Sequence, residues 1–408
     1  MAKQSDAASW LSNESGTEEA VLLSAKYSPS SYTCLRSLAQ RGIHTTVVSP
    51  YENVPAFASR YCDESILVPS PTEDLIAYKQ ALLSLAKRSD IRTILPIWEE
   101  DTYLLSKYRP EFEEHISLIV PPFETLQTVH DQIRLVEAAK EAKVSVPETW
   151  IIDDVPDWKR ELIVKSRYNL LTDEYVDSFT SGTSEVNDTL KFLMPGDKPD
   201  IEPIRAEMGH TPIVQEIVSG EIYCFRALYN DGKPVAICQN REIRQDSYGG
   251  GVSVYRESIS IPKLDKIGRT LLDHLSWEGL ADVEFLKDPN TDEFKLMDVN
   301  PRVWGSVGCD IGAGADFPYY YWIVAGGNTL QTTPSYETGF ATHYLFGEFK
   351  YLLSVLRDDN PTVERPTYWT AIWNVVSSLY HQPHFDYLSL DDPRPFAHGV
   401  LDVLLTRR

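Results

Sequence analysis

At 408 residues with 42% hydrophobic side chains, the chain is too long for one ordinary core, and two or three domains or subdomains are expected. Its 60 acidic against 38 basic residues give a formal charge of −22, which argues against a nucleic-acid surface or an anionic membrane as partner, since both need clustered Lys and Arg. The five cysteines lack a Cys-x-x-Cys pair and read as buried, reduced thiols, no apolar run approaches the ~18 residues of a membrane span, and the polar segment 1–19 reads as a disordered tail on a cytoplasmic protein.

In chain order, residues 20–24 form an apolar strand, residues 34–41 a helix ended by Gly42, and residues 43–48 a second strand, the β-α-β opening of a parallel sheet. The intervening loop has no Gly-x-Gly-x-x-Gly, so a dinucleotide fingerprint is absent. The alternation continues with strands at 65–68, 93–95 and 116–120 and helices at 73–88 and 102–108, which predicts a doubly wound α/β domain over 20–122. Glu99, Glu100 and Asp101 follow Trp98 at a strand end, where open sheets place ligands. Acids at such a position also cap helix N-termini.

An amphipathic helix over 131–142 leads to strands at 149–152 and 161–167. The small-residue run Thr180 to Ser184 offers backbone N–H groups for an anion nest, or is a plain loop. Strands follow at 212–218 and 222–229, and Asp231-Gly232 turns the chain into a further strand over 235–240. Arg241 and Arg244 then precede Gly249-Gly250-Gly251, a segment too flexible for the interior of a strand or helix. Arginines there can close over a phosphate or remain solvated. After 331 the chain is rich in Trp, Tyr and Pro, with a predicted helix at 370–380 and no assignable motif.

The most informative stretch runs from Leu296 to Ser306. If it is a strand, Asp298, Asn300 and Arg302 share one face, because side chains alternate with a period of two. Upstream, residues 279–287 read as a strand joined by a short polar turn, which makes a hairpin and sets Glu284 opposite or diagonal to Asp298 and Asn300. Opposed carboxylates repel unless a cation lies between them, and an all-oxygen set suits Mg²⁺ bridging to nucleotide phosphates. Arginine suits the phosphoryl group through its planar fork.

Six pieces occur in order: Asp131 before Val146-Pro147, then Ile163-Val164-Lys165, then Val214 through Glu221, then Arg241-Glu242-Ile243-Arg244, then Val283-Glu284-Phe285, and last Met297 through Arg302. Taken together over about Val21 to Gly327, they resemble the ATP-grasp superfamily, and within it the carbamoyl-phosphate-synthetase-like carboxylate–amine ligases. The resemblance implies an α/β chain, α+β in its ATP-grasp part. The N-terminal doubly wound sheet would precede a two-subdomain ATP-grasp unit over 123–330, with a lid at about 147–216 and an extension of unassigned role over 331–408.

It further implies ATP and Mg²⁺, with Mn²⁺ able to substitute. Lys165 would bind the phosphates, with Ser181, Gly182 and Thr183 as phosphate loop. Gln215, Glu216, Ile217 and Val218 would meet the adenine and Glu221 the ribose. Glu284, Asp298 and Asn300 would hold the metal, and Arg302 and Arg244 the transferred phosphoryl group. The implied activity joins a small carboxylate to an amine, and a homodimer is compatible with it. The alternatives are a phosphotransferase or a nucleotide-binding regulator without turnover.

The sequence departs from the pattern at Gln132, where lysine often stands and Arg134 is the candidate replacement, at Asp298, shorter than the usual glutamate, and in a loop with Gly182 alone. The acceptor pocket is expected near 304–309 with 98–101 on its far wall, where Glu99, Glu100 and Asp101 would suit an amine.

Overall fold

The computed structural model describes residues 19–405 apart from 178, 180, 181, 187, 188, 331–333, 361 and 362. The N-terminal unit comprises β1 (Ala20–Ser24), α1 (Pro29–Ala39), β2 (His44–Ser49), β3 (Glu64–Leu67), α2 (Leu75–Ala86), β4 (Ile91–Leu95), α3 (Glu99–Lys107) and α4 (Arg109–Glu113). Its strands are parallel in the order β3-β2-β1-β4. The fifth strand expected at 116–120 is reduced to one bridge, Thr93 to Ser117. Pro121 and Pro122 lack the N–H a ladder needs, and the Ile119 N–H is taken by the Tyr321 hydroxyl at 3.4 Å. Helix α1 starts earlier than expected because Ser28 caps it and Pro29 supplies a pre-set first turn.

Helices α5 (Phe123–His130) and α6 (Gln132–Glu141) lead into a small antiparallel sheet of β5 (Thr149–Ile151), β6 (Leu162–Lys165), β7 (Lys191–Leu193) and, after α7 (Ile201–Met208), β8 (Ile213–Glu216), in the order β5-β8-β6-β7. This sheet has a core of its own, built from Ile152, Leu162, Val164, Ile204, Met208 and Val214.

A larger sheet follows, from β9 (Glu221–Asn230), β10 (Lys233–Gln245), β11 (Ser253–Ile259), β12 (Gly279–Lys287) and β13 (Phe294–Asn300), with α8 (Pro262–His274) before β12. Helices α9 (Val307–Gly312) and α10 (Phe317–Ala325) come next, and β14 (Ala341–His343) completes the sheet in the order β13-β12-β9-β10-β11-β14. One core joins this sheet to the parallel one, with Leu22 and Leu95 in the same cluster as Phe225, Val283 and Trp304. The chain ends in α11 (Leu345–Arg357), α12 (Tyr368–His381) and α13 (Arg394–Leu405). All five cysteines are free thiols. Among the described residues no helix is long and apolar enough to cross a membrane.

Candidate active site

The hairpin β12–β13 places Glu284 opposite Asp298 and Asp282 opposite Asn300. Asn300 Nδ2 donates to Glu284 Oε1 at 3.1 Å. Asp298 Oδ1 accepts from Gln132 Nε2 at 3.1 Å, Asn169 Nδ2 at 3.0 Å and its neighbour's N–H (Val299) at 2.8 Å. Lys165 Nζ, at the end of β6, donates to Gln132 Oε1 at 3.3 Å. Lys165, Gln132, Asn169, Asp298, Asn300 and Arg302 thus line one cavity of about 260 Å³ where the small and large sheets meet.

Arg302 is aimed by its neighbours. The β13 chain end is tied to the end of β4 by the Val303 N–H to Pro96 carbonyl bond at 3.0 Å, and to α3 by Thr102 Oγ1 donating to the Pro301 carbonyl at 3.0 Å. This brings Arg302 Nε to Glu99 Oε1 at 2.6 Å. Burial alone would raise the Glu99 carboxyl, but Arg302 and His130 outweigh it and hold it down at about 2.

The remaining charges are strained. Burial, with Asp282, Glu242 and Asp298 nearby, pushes the Glu284 carboxyl well above the usual range. Burial also pulls the Lys165 ammonium down, against the opposing influence of Asp298 and Glu284. A cation between the two opposed carboxylates would relieve the first effect. No group of three or more His, Cys, Asp or Glu converges for a metal among the described residues. The oxygen set fits an ion that completes its shell with phosphate oxygens and water, as Mg²⁺ does. Asn300 as placed turns Nδ2 to Glu284 and Oδ1 to Arg302 Nη2 at 3.4 Å, so ligation through Oδ1 requires a half-turn of its amide.

A second cavity, about 980 Å³, lies at the crossing from β8 to β9 and is lined by Ile217, Val218, Gly220, Glu221 and Leu286. A Cβ on Gly220 would collide with the Lys287 carbonyl, so only glycine allows this close crossing. Gln215 and Glu216 do not line it. The Gln215 side chain turns into the small sheet, donating to Thr149 Oγ1 at 2.9 Å. Glu216 is held by Arg160 at 3.0 Å and Lys295 at 2.8 Å, and its N–H bonds the Glu148 carbonyl. Glu221 is largely exposed and accepts from the Tyr223 hydroxyl at 2.8 Å.

A central cavity of about 480 Å³ shares walls with both others and is lined by Trp98, Glu99, Glu100, Trp304, Gly305 and Ser306. Of the three acids expected to suit an amine, Glu99 and Glu100 line this cavity and Asp101 does not. Glu99 is taken by Arg302, and Asp101 accepts from Ser24, Tyr78 and the N–H groups of Ile97 and Trp98. Glu100 lies 3.5 Å from Lys26.

Three further sets of expected residues stand apart from the lysine cavity. Arg244 lines the β8–β9 cavity instead, because β10 runs on through Gln245 and Nη1 donates to both Glu348 oxygens at 2.7 Å. Gly182 and Thr183 do not line the lysine cavity: the Gly182 carbonyl accepts from the Leu75 N–H at 2.7 Å, and Ser184 bonds the Pro71 carbonyl at 2.8 Å. Ser181 lies outside the described residues. Arg134 is exposed beside Asp131 and reaches no cavity with Lys165.

Sequence reasoning also missed three residues and one pairing. Leu286 was legible as the alternate position after Glu284. Glu242, Asn169 and the pairing of Glu99 with Arg302 had no local signal.

No protein-family model matches the sequence, and no curated protein matches it. Solved structures do. The biotin carboxylase domain of Hydrogenobacter thermophilus 2-oxoglutarate carboxylase, a dimer in complex with MgADP, ADP and bicarbonate, aligns with a TM-score of 0.59 at 13% identity over 79% of this chain and 73% of that one. Staphylococcus aureus N5-carboxyaminoimidazole synthetase, complexed with ADP, aligns at 0.56, 13% identity, 78% and 80%. Rhizobium etli pyruvate carboxylase aligns at 0.58 and 16% identity over 79% of this chain but 29% of that longer one. This is an ATP-grasp fold. Within the ATP-grasp frame, the small sheet contributes Lys165, the large sheet the opposed carboxylates, and the crossing from β8 to β9 joins them.

Proposed function

We propose that this protein is an ATP-dependent ligase that activates a carboxylate as an acylphosphate and joins it to an amine, releasing ADP and phosphate. The observation that carries the reading is the gathering of Lys165, Arg302, Asn300 and Asp298 in one cavity, with Glu284 opposite Asp298 on the hairpin. The solved neighbours that hold ADP share the fold.

A carboxylate resists attack because oxide would have to leave. Transfer of the γ-phosphoryl group to a carboxylate oxygen makes phosphate the leaving group instead. The amine, as free base, forms the C–N bond, the acyl C–O bond to phosphate breaks, and one proton is released. Lys165 and Arg302 neutralise charge on the phosphates, so positioning and electrostatics suffice without a covalent nucleophile. Glu284, Asp298 and Asn300 would hold Mg²⁺, which when bound would add to the neutralisation of phosphate charge. Gln132 and Asn169 occupy Asp298 Oδ1 and so fix the direction of Oδ2. The small sheet, with its separate core, acts as a lid that excludes water from the acylphosphate. The adenine lies at Ile217, Val218 and Leu286, and the carboxylate and amine meet in the central cavity. The H. thermophilus domain is a dimer, and we extend the two-copy arrangement to this chain.

The test is ADP release over a panel of carboxylates and amines. The reading expects ADP and phosphate only when both partners are present. A stable phosphorylated product would indicate a phosphotransferase instead, and binding without release a protein that does not turn ATP over.

A further inference from the structure

Helix α12 presents three faces. Ala371 and Val375 pack with Tyr351 and Val355 of α11. Asn374, Ser377, Ser378 and His381 line the cavity at the β8–β9 crossing. The third face is Trp369, Trp373, Val376 and Tyr380, exposed by 79, 71, 53 and 82%. Their spacing of four, three and four residues stacks them in one stripe roughly 16 Å long. Scattered exposed apolar residues need no explanation, whereas two tryptophans and a tyrosine aligned on one helix do.

Charge selects the occupant. Across its 14 residues α12 has no Asp, Glu, Lys or Arg. The chain as a whole carries −22, so two copies repel over most of their surfaces but can approach here without opposing like charges. Helices that lie on lipid carry Lys and Arg on their polar face, and here that face is Asn374, Ser377 and Ser378 turned to a cavity.

We propose that this stripe is the contact face of a homodimer, packed against the same stripe of a second copy across a two-fold axis. With the helices antiparallel and the axis between Trp373 and Val376, Trp369 lies against Tyr380 of the partner subunit. The three aromatics offer on the order of 450 Å² per copy. That is below the ~800 Å² per partner of a standard interface, which puts the contact in the weak, reversible class. The inference deepens the two-copy reading by naming its surface and does not rest on the ligase chemistry.

The experiment is sedimentation velocity of the full chain from roughly 1 to 100 μM, concentrations at which a weak, reversible dimer is read. The wild type is expected to dimerise, more tightly as salt screens the net charge. Trp373→Ser with Tyr380→Ser is expected to weaken the dimer more than about tenfold with the melting temperature unchanged, and Leu390→Ser, another exposed apolar site, to leave it unaltered. A monomer at every concentration overturns the inference together with the two-copy reading. A dimer indifferent to the double variant overturns the inference alone. So does a monomer that binds phosphatidylcholine vesicles through the same residues.

Discussion

Gln132 does something a lysine at its position could not do. Its Nε2 donates to Asp298 while its Oε1 accepts from Lys165, so one carboxamide links Lys165 of the small sheet to β13 of the large one. A lysine there would add a charge and lose the acceptor. Glu99 plays a similar aligning part for Arg302. A carboxyl held down at about 2 binds its proton more readily in the unfolded chain, so its contribution is complete above the ordinary 4.5 and is lost as pH falls through about 2. The depression corresponds to about 3 kcal/mol. Glu99→Gln is therefore expected to lower the urea-unfolding free energy by about that amount near pH 7 and by less near pH 3.5. A gap that stays constant across that range would remove the ion pair from the account.

At the scale of elements, the hairpin β12–β13 and the first four parallel strands were legible because alternation or buried apolar runs mark them locally. Strand β10 was not legible beyond 240. Arg241, Glu242 and Arg244 follow one another without an apolar face, since Arg241 pairs with Glu257 across the sheet and Arg244 with Glu348 and Ser378, more than a hundred residues away. Non-local charge pairing leaves no periodic trace in a sequence. Strand β11 and helix α7 lie in stretches where the sequence pattern predicts no element. The small sheet has six buried apolar residues in its own core, far fewer than the core shared by the other two sheets. Its amides are expected to exchange with deuterium sooner than those of β9 and β12, and Mg-ATP is expected to slow them selectively. Uniform exchange, or protection confined to the parallel sheet, would contradict a closing lid.

On the scale of the whole molecule, the stretch after 331 is no appendage. Strand β14 extends the large sheet, and Glu348 and Ser378 hold Arg244, so the segment that carried no motif completes the wall of the β8–β9 cavity. The central cavity shares walls with each of the other two, the continuity that the proposed meeting of nucleotide, metal and acceptor requires.

The most direct test of this arrangement is calorimetric titration of ATP into the full chain with and without Mg²⁺, repeated for Lys165→Ala and Glu284→Gln. We predict binding that strengthens with Mg²⁺, a loss of more than about tenfold in each variant, and unchanged melting temperatures. Affinity indifferent to Mg²⁺, or equal in all three proteins, would contradict the assignment of Glu284, Asp298 and Asn300 to a metal beside the nucleotide.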